Sequence, residues 1–419
     1  MSMKQYFSNT ARKCLFLFLC ICLYTGCNKK EKELKPGMWR GVLNVANKEI
    51  PFQMQVTKSA EGRTIAYLIN GEEKILLDEI SITGDSVKIP LHIFDADLKA
   101  HINDSQDGIK GKWTRYNLEE SFVVNFSAKH GQDYRFSEKP KQANQNFSGK
   151  WDVIFKNDDG TQEQAIGVFE QKGSYLKGTF LSATGDYRYL NGEVNDDELK
   201  LSTFDGSHGY LFTAKPDGAG KIAGNFYYGP NDFIPWTGQR NENAVLPAAD
   251  TLTYLKPGYD KLSFSFPDLN GKKVSLSDPQ YQDKVVVVQL MGSWCPNCMD
   301  ETAYLAPYYR ENKNRGLEII GLAYEQSPEF SKAKPRLERL KNRFDIEYNL
   351  LVAGQRDKDA AAKTLPMLNH VLAFPTTVIV DKKGAVRKIH TGFSGPGTGK
   401  YYEEFVQDFE STIDKLLQE

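Results

Sequence analysis

Beyond residue 27 the chain has almost no cysteine. Six occur in 419 residues, and Cys14, Cys20, Cys22 and Cys27 all lie near the start. The other two, Cys295 and Cys298, are three positions apart, so the rest of the chain has no long-range disulfide framework. Closing so short a loop removes little unfolded-state entropy, which leaves chemistry rather than stability as the reason for the pair. Six histidines and a single cysteine pair do not make a four-ligand structural zinc site, and no metal is expected. An excess of charge of either sign is also missing. Lys and Arg total 53 against 54 Asp and Glu, a formal net charge of -1, which argues against a nucleic-acid partner. No apolar run reaches the ~20 residues that a membrane-spanning helix needs. What remains is an ordinary globular balance, 40% hydrophobic and 26% charged, with 12% aromatics that suit a β-rich portion. The length suggests two or three domains.

The N-terminus reads as a targeting segment. Lys4, Arg12 and Lys13 precede an apolar stretch from Cys14 to Tyr24, which fits a signal-peptide core. It ends in Leu23-Tyr24-Thr25-Gly26-Cys27, which resembles the lipobox of bacterial lipoproteins. The resemblance implies lipidation of Cys27. Tyr24 departs from the pattern, which has an aliphatic residue there. The alternative is a secretory signal that leaves a free Cys27 near the new N-terminus.

The expected organisation is a signal peptide at 1–27, a polar tether at 28–37, β-rich units at 38–145 and 146–240, a linker at 241–257 and an α/β domain at 258–419. Alternation is clear in Ile50-Pro51-Phe52-Gln53-Met54-Gln55-Val56, and turn pairs such as Asn70-Gly71, Asn191-Gly192 and Asp217-Gly218 punctuate the β region. The β region looks duplicated. Trp39 matches Trp151, Phe94-Asp95 matches Phe204-Asp205, and Ile109 to Trp113 matches Ile222 to Phe226, with offsets of 112, 110 and 113. Each copy is expected to be a small barrel or sandwich. Trp39, Trp113, Trp151 and Trp236 either line a site or belong to the cores of these units. Beyond residue 262 strands and helices alternate. Helices are expected at 296–311, at 328–343 with an interruption at Pro335, at 357–368 and at 401–417.

The chemistry lies at one junction. Val285 to Met291 is a continuous apolar run that reads as a strand buried on both faces. It leads through Gly292-Ser293-Trp294 into Cys295-Pro296-Asn297-Cys298 and then into a helix. Cys295 would therefore sit at a helix N-terminus, where free N–H groups and the helix dipole stabilise a thiolate. Pro296 suits the first turn because its missing N–H costs no hydrogen bond. Cys295 is the expected nucleophile and Cys298 the resolving thiol.

Together with Phe264-Ser265-Phe266-Pro267-Asp268-Leu269-Asn270-Gly271-Lys272 and Phe374-Pro375-Thr376-Thr377, this motif resembles bacterial extracytoplasmic thioredoxins of the TlpA/ResA type. The resemblance covers roughly 258–419 and implies a thioredoxin-like domain after the all-β region. It also implies a cis Pro375 facing the thiols, with Phe374 offering its backbone to a client; the alternative is a trans proline opening a strand. Glu301 would assist proton transfer, since the strand position used for an acid in cytoplasmic thioredoxins is Gln289 here; the alternative is a solvated helix Glu. Trp294, Pro296 and Asn297 would complete the substrate-facing surface, although packing alone also accounts for Trp294. The implied activity is reduction of client protein disulfides in the cell envelope with no cofactor beyond the Cys295–Cys298 pair, recharged by a membrane thiol transporter. A peroxiredoxin motif fails at Val288 and Gly292, and a copper-chaperone spacing is one residue short. A reading from another class makes the β region a module that binds a ligand or client, with the thioredoxin-like domain accessory to it.

Overall fold

The computed structural model describes residues 31–419 except 46, 92–93, 117–121, 219 and 230. Cys27 and the expected signal peptide lie outside the described residues.

The first nine strands are β1 (Gly37–Val45), β2 (Lys48–Lys58), β3 (Thr64–Asn70), β4 (Glu73–Leu77), β5 (Ser81–Thr83), β6 (Ser86–Pro90), β7 (Ala96–Ile102), β8 (Gly108–Arg115) and β9 (Phe122–His130). They form one antiparallel sheet in the order β4-β3-β2-β1-β9-β8-β7-β6-β5. The next nine are β10 (Gly149–Lys156), β11 (Gln162–Lys172), β12 (Tyr175–Ser182), β13 (Gly185–Asp186), β14 (Leu190–Asn195), β15 (Glu198–Phe204), β16 (Gly209–Pro216), β17 (Lys221–Tyr227) and β18 (Phe233–Arg240). Their order is β11-β10-β18-β17-β16-β15-β14-β12-β13, with β11 also paired to β12. In both sheets the first strand pairs with the last. The copies differ in closure. The β11–β12 and β12–β14 pairings close the second sheet into an eight-stranded barrel, whereas β4 and β5 remain edges of the first. The all-β region thus comprises a half-barrel followed by a closed barrel, within the small-barrel architecture expected.

Local contacts repeat at the same offsets. Trp39 Nε1 donates to Lys35 O and Trp151 Nε1 to Phe147 O, both at 2.9 Å. A Cβ on Gly111 would lie 1.9 Å from Lys99 O, and one on Gly224 would lie 1.7 Å from Thr213 O. In each copy a glycine lets two neighbouring backbones approach closely. All four tryptophans of the β region are core residues, at most 3% exposed. The barrel interior is aromatic, with Phe155, Phe180, Phe212 and Trp236 in one cluster. Its outer face fills the hollow of the half-barrel: Phe204 lies 4.7 Å from Phe52 and 5.2 Å from Trp113 between ring centroids.

The segment expected as a free tether is docked where it is described. Leu34 is fully buried, Lys32 N donates to Gly84 O and Lys32 Nζ donates to Ile102 O. One apolar side chain in a polar run holds it against the half-barrel.

The C-terminal domain contains a hairpin of β19 (Ser265–Pro267) and β20 (Lys273–Ser275). Its main sheet is built from β21 (Val285–Met291), β22 (Leu317–Glu325), β23 (Asn349–Gln355), β24 (Thr376–Val380) and β25 (Val386–Thr391), in the order β23-β22-β21-β24-β25. The first three of these strands run parallel, and β24 and β25 are antiparallel to their neighbours. The helices are α1 (Pro296–Asn312), α2 (Phe330–Phe344), α3 (Lys358–Thr364) and α4 (Lys400–Gln418). Every residue of β21 is buried, as its composition predicts. Two helix boundaries differ from the sequence reading. α2 runs unbroken through Pro335, because Ala333, Leu337 and Leu340 are fully buried and their packing outweighs the ~3 kcal/mol that an interior proline costs. α3 stops at Thr364, two residues before Pro366, in keeping with the restriction proline places on a preceding helix.

α2 also ties this domain to the half-barrel. Arg336 and Arg339 both pair with Asp95. Arg343 pairs with Asp78 at 3.0 Å and donates to Leu76 O on the edge strand β4 at 3.3 Å.

The glycine contacts are testable. Gly224→Ala places a methyl against backbone, which cannot swing aside, so a loss of about 1–3 kcal/mol is expected. Urea unfolding checks this, and an unchanged midpoint would refute the close approach of β16 and β17.

Candidate active site

Strand β21 delivers the motif to the N-terminus of α1. Gly292 permits the turn: a Cβ there would meet Trp294 Nε1 at 2.2 Å and Tyr324 O at 2.8 Å. Cys295 is the N-cap, in an extended conformation, and its Sγ accepts a hydrogen bond from Cys298 N at 3.2 Å. The sulfurs of Cys295 and Cys298 are bonded, with Cα atoms 5.2 Å apart. Cys298 is fully buried and Cys295 is 5% exposed. Cys295 Sγ lies 3.4 Å from Phe374 O. In the dithiol form the Cys295 thiol would have that carbonyl to donate to.

The Phe374–Pro375 peptide is cis. Trp294 donates from Nε1 to Tyr324 O at 2.8 Å, meets Phe374 edge-on at 5.8 Å and lies beneath the guanidinium of Arg356. The turn before the motif is pinned from below. Glu325 is fully buried and accepts from Ser293 N at 2.8 Å and Ser293 Oγ at 2.7 Å.

Glu301 lies on α1 one turn beyond Cys298 and is fully buried, so the solvated alternative does not hold. It accepts from Gln289 Nε2 at 2.7 Å and Thr377 Oγ1 at 2.6 Å. Burial pushes its carboxyl above the ordinary range, and the two hydrogen bonds only partly oppose this. Gln289 thus occupies the strand position and holds the acid that the helix supplies. A glutamine inside a seven-residue buried strand was itself a signal that a polar partner lay beneath.

No sequence pattern announces what covers the motif. The β13–β14 loop of the barrel lies directly on it. Asn297 Nδ2 donates to Asp186 O at 3.1 Å, Gly395 N donates to Asp186 Oδ2 at 2.6 Å, and Arg188 Nη1 donates to Pro296 O at 3.0 Å. Pro296 and Asn297, expected on the substrate-facing surface, meet the barrel, and Asn297 also lines the cavity at its mouth. Arg188 also pairs with Asp300 at 2.8 Å, with Glu73 of the half-barrel and with Asp205 at 3.9 Å. One guanidinium serves carboxylates from all parts of the fold, and it cannot neutralise them together. Burial raises Asp300 to about 8 and Asp186 to about 6; Arg188 pulls both down, and neighbouring carboxylates push them up. Among the described residues no cluster of His, Cys, Asp and Glu is suited to a metal ion.

The AhpC/TSA family matches residues 257–389. The chain is 27% identical over 150 residues to thiol-disulfide oxidoreductase ResA of Bacillus subtilis, covering 36% of this chain and 74% of that protein. It is 30% identical over 129 residues to thiol-disulfide oxidoreductase ResA of Geobacillus kaustophilus, covering 31% and 66%. Through this domain the chain belongs to the ResA/TlpA type of thioredoxin-like proteins. A solved thiol-disulfide oxidoreductase from Bacteroides fragilis aligns at a TM-score of 0.27 and 17% identity, covering 35% of this chain and 99% of that one. All these matches fall short of the whole chain, so the ResA/TlpA-type assignment describes the C-terminal domain and leaves the β region without a counterpart among them.

Removing Arg188 should leave several buried carboxylates unpaired. Arg188→Ala is expected to lower stability by about 3–5 kcal/mol, and denaturant unfolding measures it. Asp300 has a raised folded pKa, so its stabilising contribution is complete below the ordinary carboxylate range and is lost as pH rises towards about 8. Wild type should therefore lose stability relative to Asp300→Asn across that window. A gap that does not change with pH would count against the assignment.

Proposed function

We propose that the protein is a membrane-anchored thiol–disulfide oxidoreductase that reduces protein disulfides in the bacterial cell envelope. The observation that carries this reading is Cys295 at the N-cap of α1, bonded to Cys298 and receiving the Cys298 N–H. That N–H, with the positive end of the helix, favours the thiolate once the pair is reduced.

The cycle starts from the dithiol. The Cys295 thiolate attacks a client disulfide, forming one S–S bond and releasing one client sulfur as thiolate, which takes a proton. Cys298 then loses its proton, its thiolate attacks Cys295 Sγ, and the second client thiol leaves. The client gains two electrons and two protons and the enzyme becomes the disulfide. A membrane thiol transporter, itself a dithiol, returns the electrons. Glu301 is assigned the Cys298 proton: a buried carboxyl with a raised pKa, one turn away on the same helix, is suited to take it. Phe374, next to the cis bond, is assigned the backbone edge that holds the client, and Trp294 the wall beside it. Lipidation of Cys27 is assigned the anchoring, with the domain facing the periplasm.

Cys295→Ala should abolish disulfide reduction, and Cys298→Ala should accumulate a mixed disulfide with a client, visible by mass. Glu301→Gln should slow turnover about 100-fold and flatten the pH profile on the alkaline side. Full insulin reduction by Cys295→Ala would overturn the proposal. A reduction potential near ~-270 mV marks a reductase and one near ~-120 mV an oxidant.

A further inference from the structure

The redox pair adjoins an aromatic cavity at the mouth of the eight-stranded barrel. The cavity measures about 360 Å3. Tyr187, Tyr210, Phe226 and Tyr228 make its walls, and Asn297 and Phe374 reach it from the redox domain. The rings form a connected set: Tyr210 to Phe226 is 5.0 Å between centroids, Phe226 to Tyr228 is 5.1 Å and Tyr187 to Phe226 is 5.5 Å. These are not the tryptophans that the sequence offered as candidates, all of which are packed in cores.

Two further observations say what the cavity takes. Of its charged lining groups, Arg188, Asp205 and His208 answer one another. Asp205 accepts from His208 N at 2.7 Å and lies 3.9 Å from Arg188; burial alone would raise its pKa, but His208 and Arg188 hold it down at about 2. A charged ligand would thus find these groups already engaged, whereas a neutral aromatic group finds rings at packing distance. Thr203 also lines the cavity, is 2% exposed, and its Oγ1 has no hydrogen-bond partner. A buried hydroxyl without a partner is costly, and the backbone of an entering chain offers one.

We propose that this cavity is the client subsite, and that it takes an aromatic side chain next to the reacting cysteine of an extended peptide segment. The proposal rests on the redox reading above and adds its specificity. Because the β13–β14 loop covers Pro296 and Asn297, the barrel wall stands beside Cys295, and the client approaches as a single strand along Phe374. Its cysteine meets Cys295 while the adjacent side chain enters the barrel mouth. Selection of client sequence then belongs to the β region, and electron transfer belongs to α1.

The test uses the full chain and two unstructured peptides. Each carries one cysteine as a mixed disulfide with 2-mercaptoethanol, and they differ only in Phe or Ser beside it. Wild type is expected to prefer the Phe peptide at least about tenfold in kcat/KM, mainly through KM. Tyr228→Ala, which removes a wall, and Thr203→Leu, which fills the space, should each bring the ratio close to one. The ratio is taken within one preparation, so a misfolded fraction cancels. Equal rates on both peptides, or a preference that survives both variants, would overturn the subsite while the redox pair stands. Failure of wild type to reduce either peptide or 2-hydroxyethyl disulfide would remove the redox reading, and the subsite with it.

Discussion

A single guanidinium sits where the half-barrel, the barrel and the redox domain meet. Burying a cation is tolerable only with carboxylates around it, and Arg188 draws them from Glu73 on β4, Asp205 after β15 and Asp300 on α1. None of the three units satisfies Arg188 alone. The geometry of the site follows, since the same side chain donates to the carbonyl of Pro296 within the motif. The relation of the barrel mouth to Cys295 is thus fixed by electrostatics that fail unless every unit is present. The apolar contacts of Phe204 with Phe52 and Trp113 supply area, and Arg188 supplies register.

Protonation is divided along the first two turns of the active-site helix. At its start, free N–H groups and the dipole favour negative charge on Cys295. One turn beyond Cys298, burial disfavours negative charge on Glu301. A thiol disposed to lose its proton and a carboxyl disposed to keep one are the two groups that disulfide exchange needs, and a single helix presents both.

Local chemistry was legible in the sequence, and long-range docking was not. The buried run Val285–Met291, the proline at the first helical position and the helical spacing of Cys298 and Glu301 are short-range patterns, so the strand, α1 and the motif between them could be read directly. The internal duplication could also be read, because tryptophans and glycines in the two copies answer the same steric demand. Closure could not. β4 (Glu73–Leu77) and β5 (Ser81–Thr83) are consecutive in the chain, and alternation alone does not say whether two such strands pair or part as edges. The loop bearing Asp186 and Arg188 has ordinary turn composition, and its partners outside the barrel lie more than a hundred residues away in sequence. Pro335 misled because a propensity rule was applied where three buried side chains decide the outcome.

The open seam of the half-barrel bears on how the chain is made. The N-terminal copy leaves the ribosome first, yet its hollow is filled by the outer face of a barrel translated afterwards, and the β4 edge is met by an arginine of α2 near the end of the chain. Until then it is a sheet with two bare edges and an uncovered apolar hollow, the form most prone to pairing with another copy of itself. The first unit to be synthesised is the last to be completed.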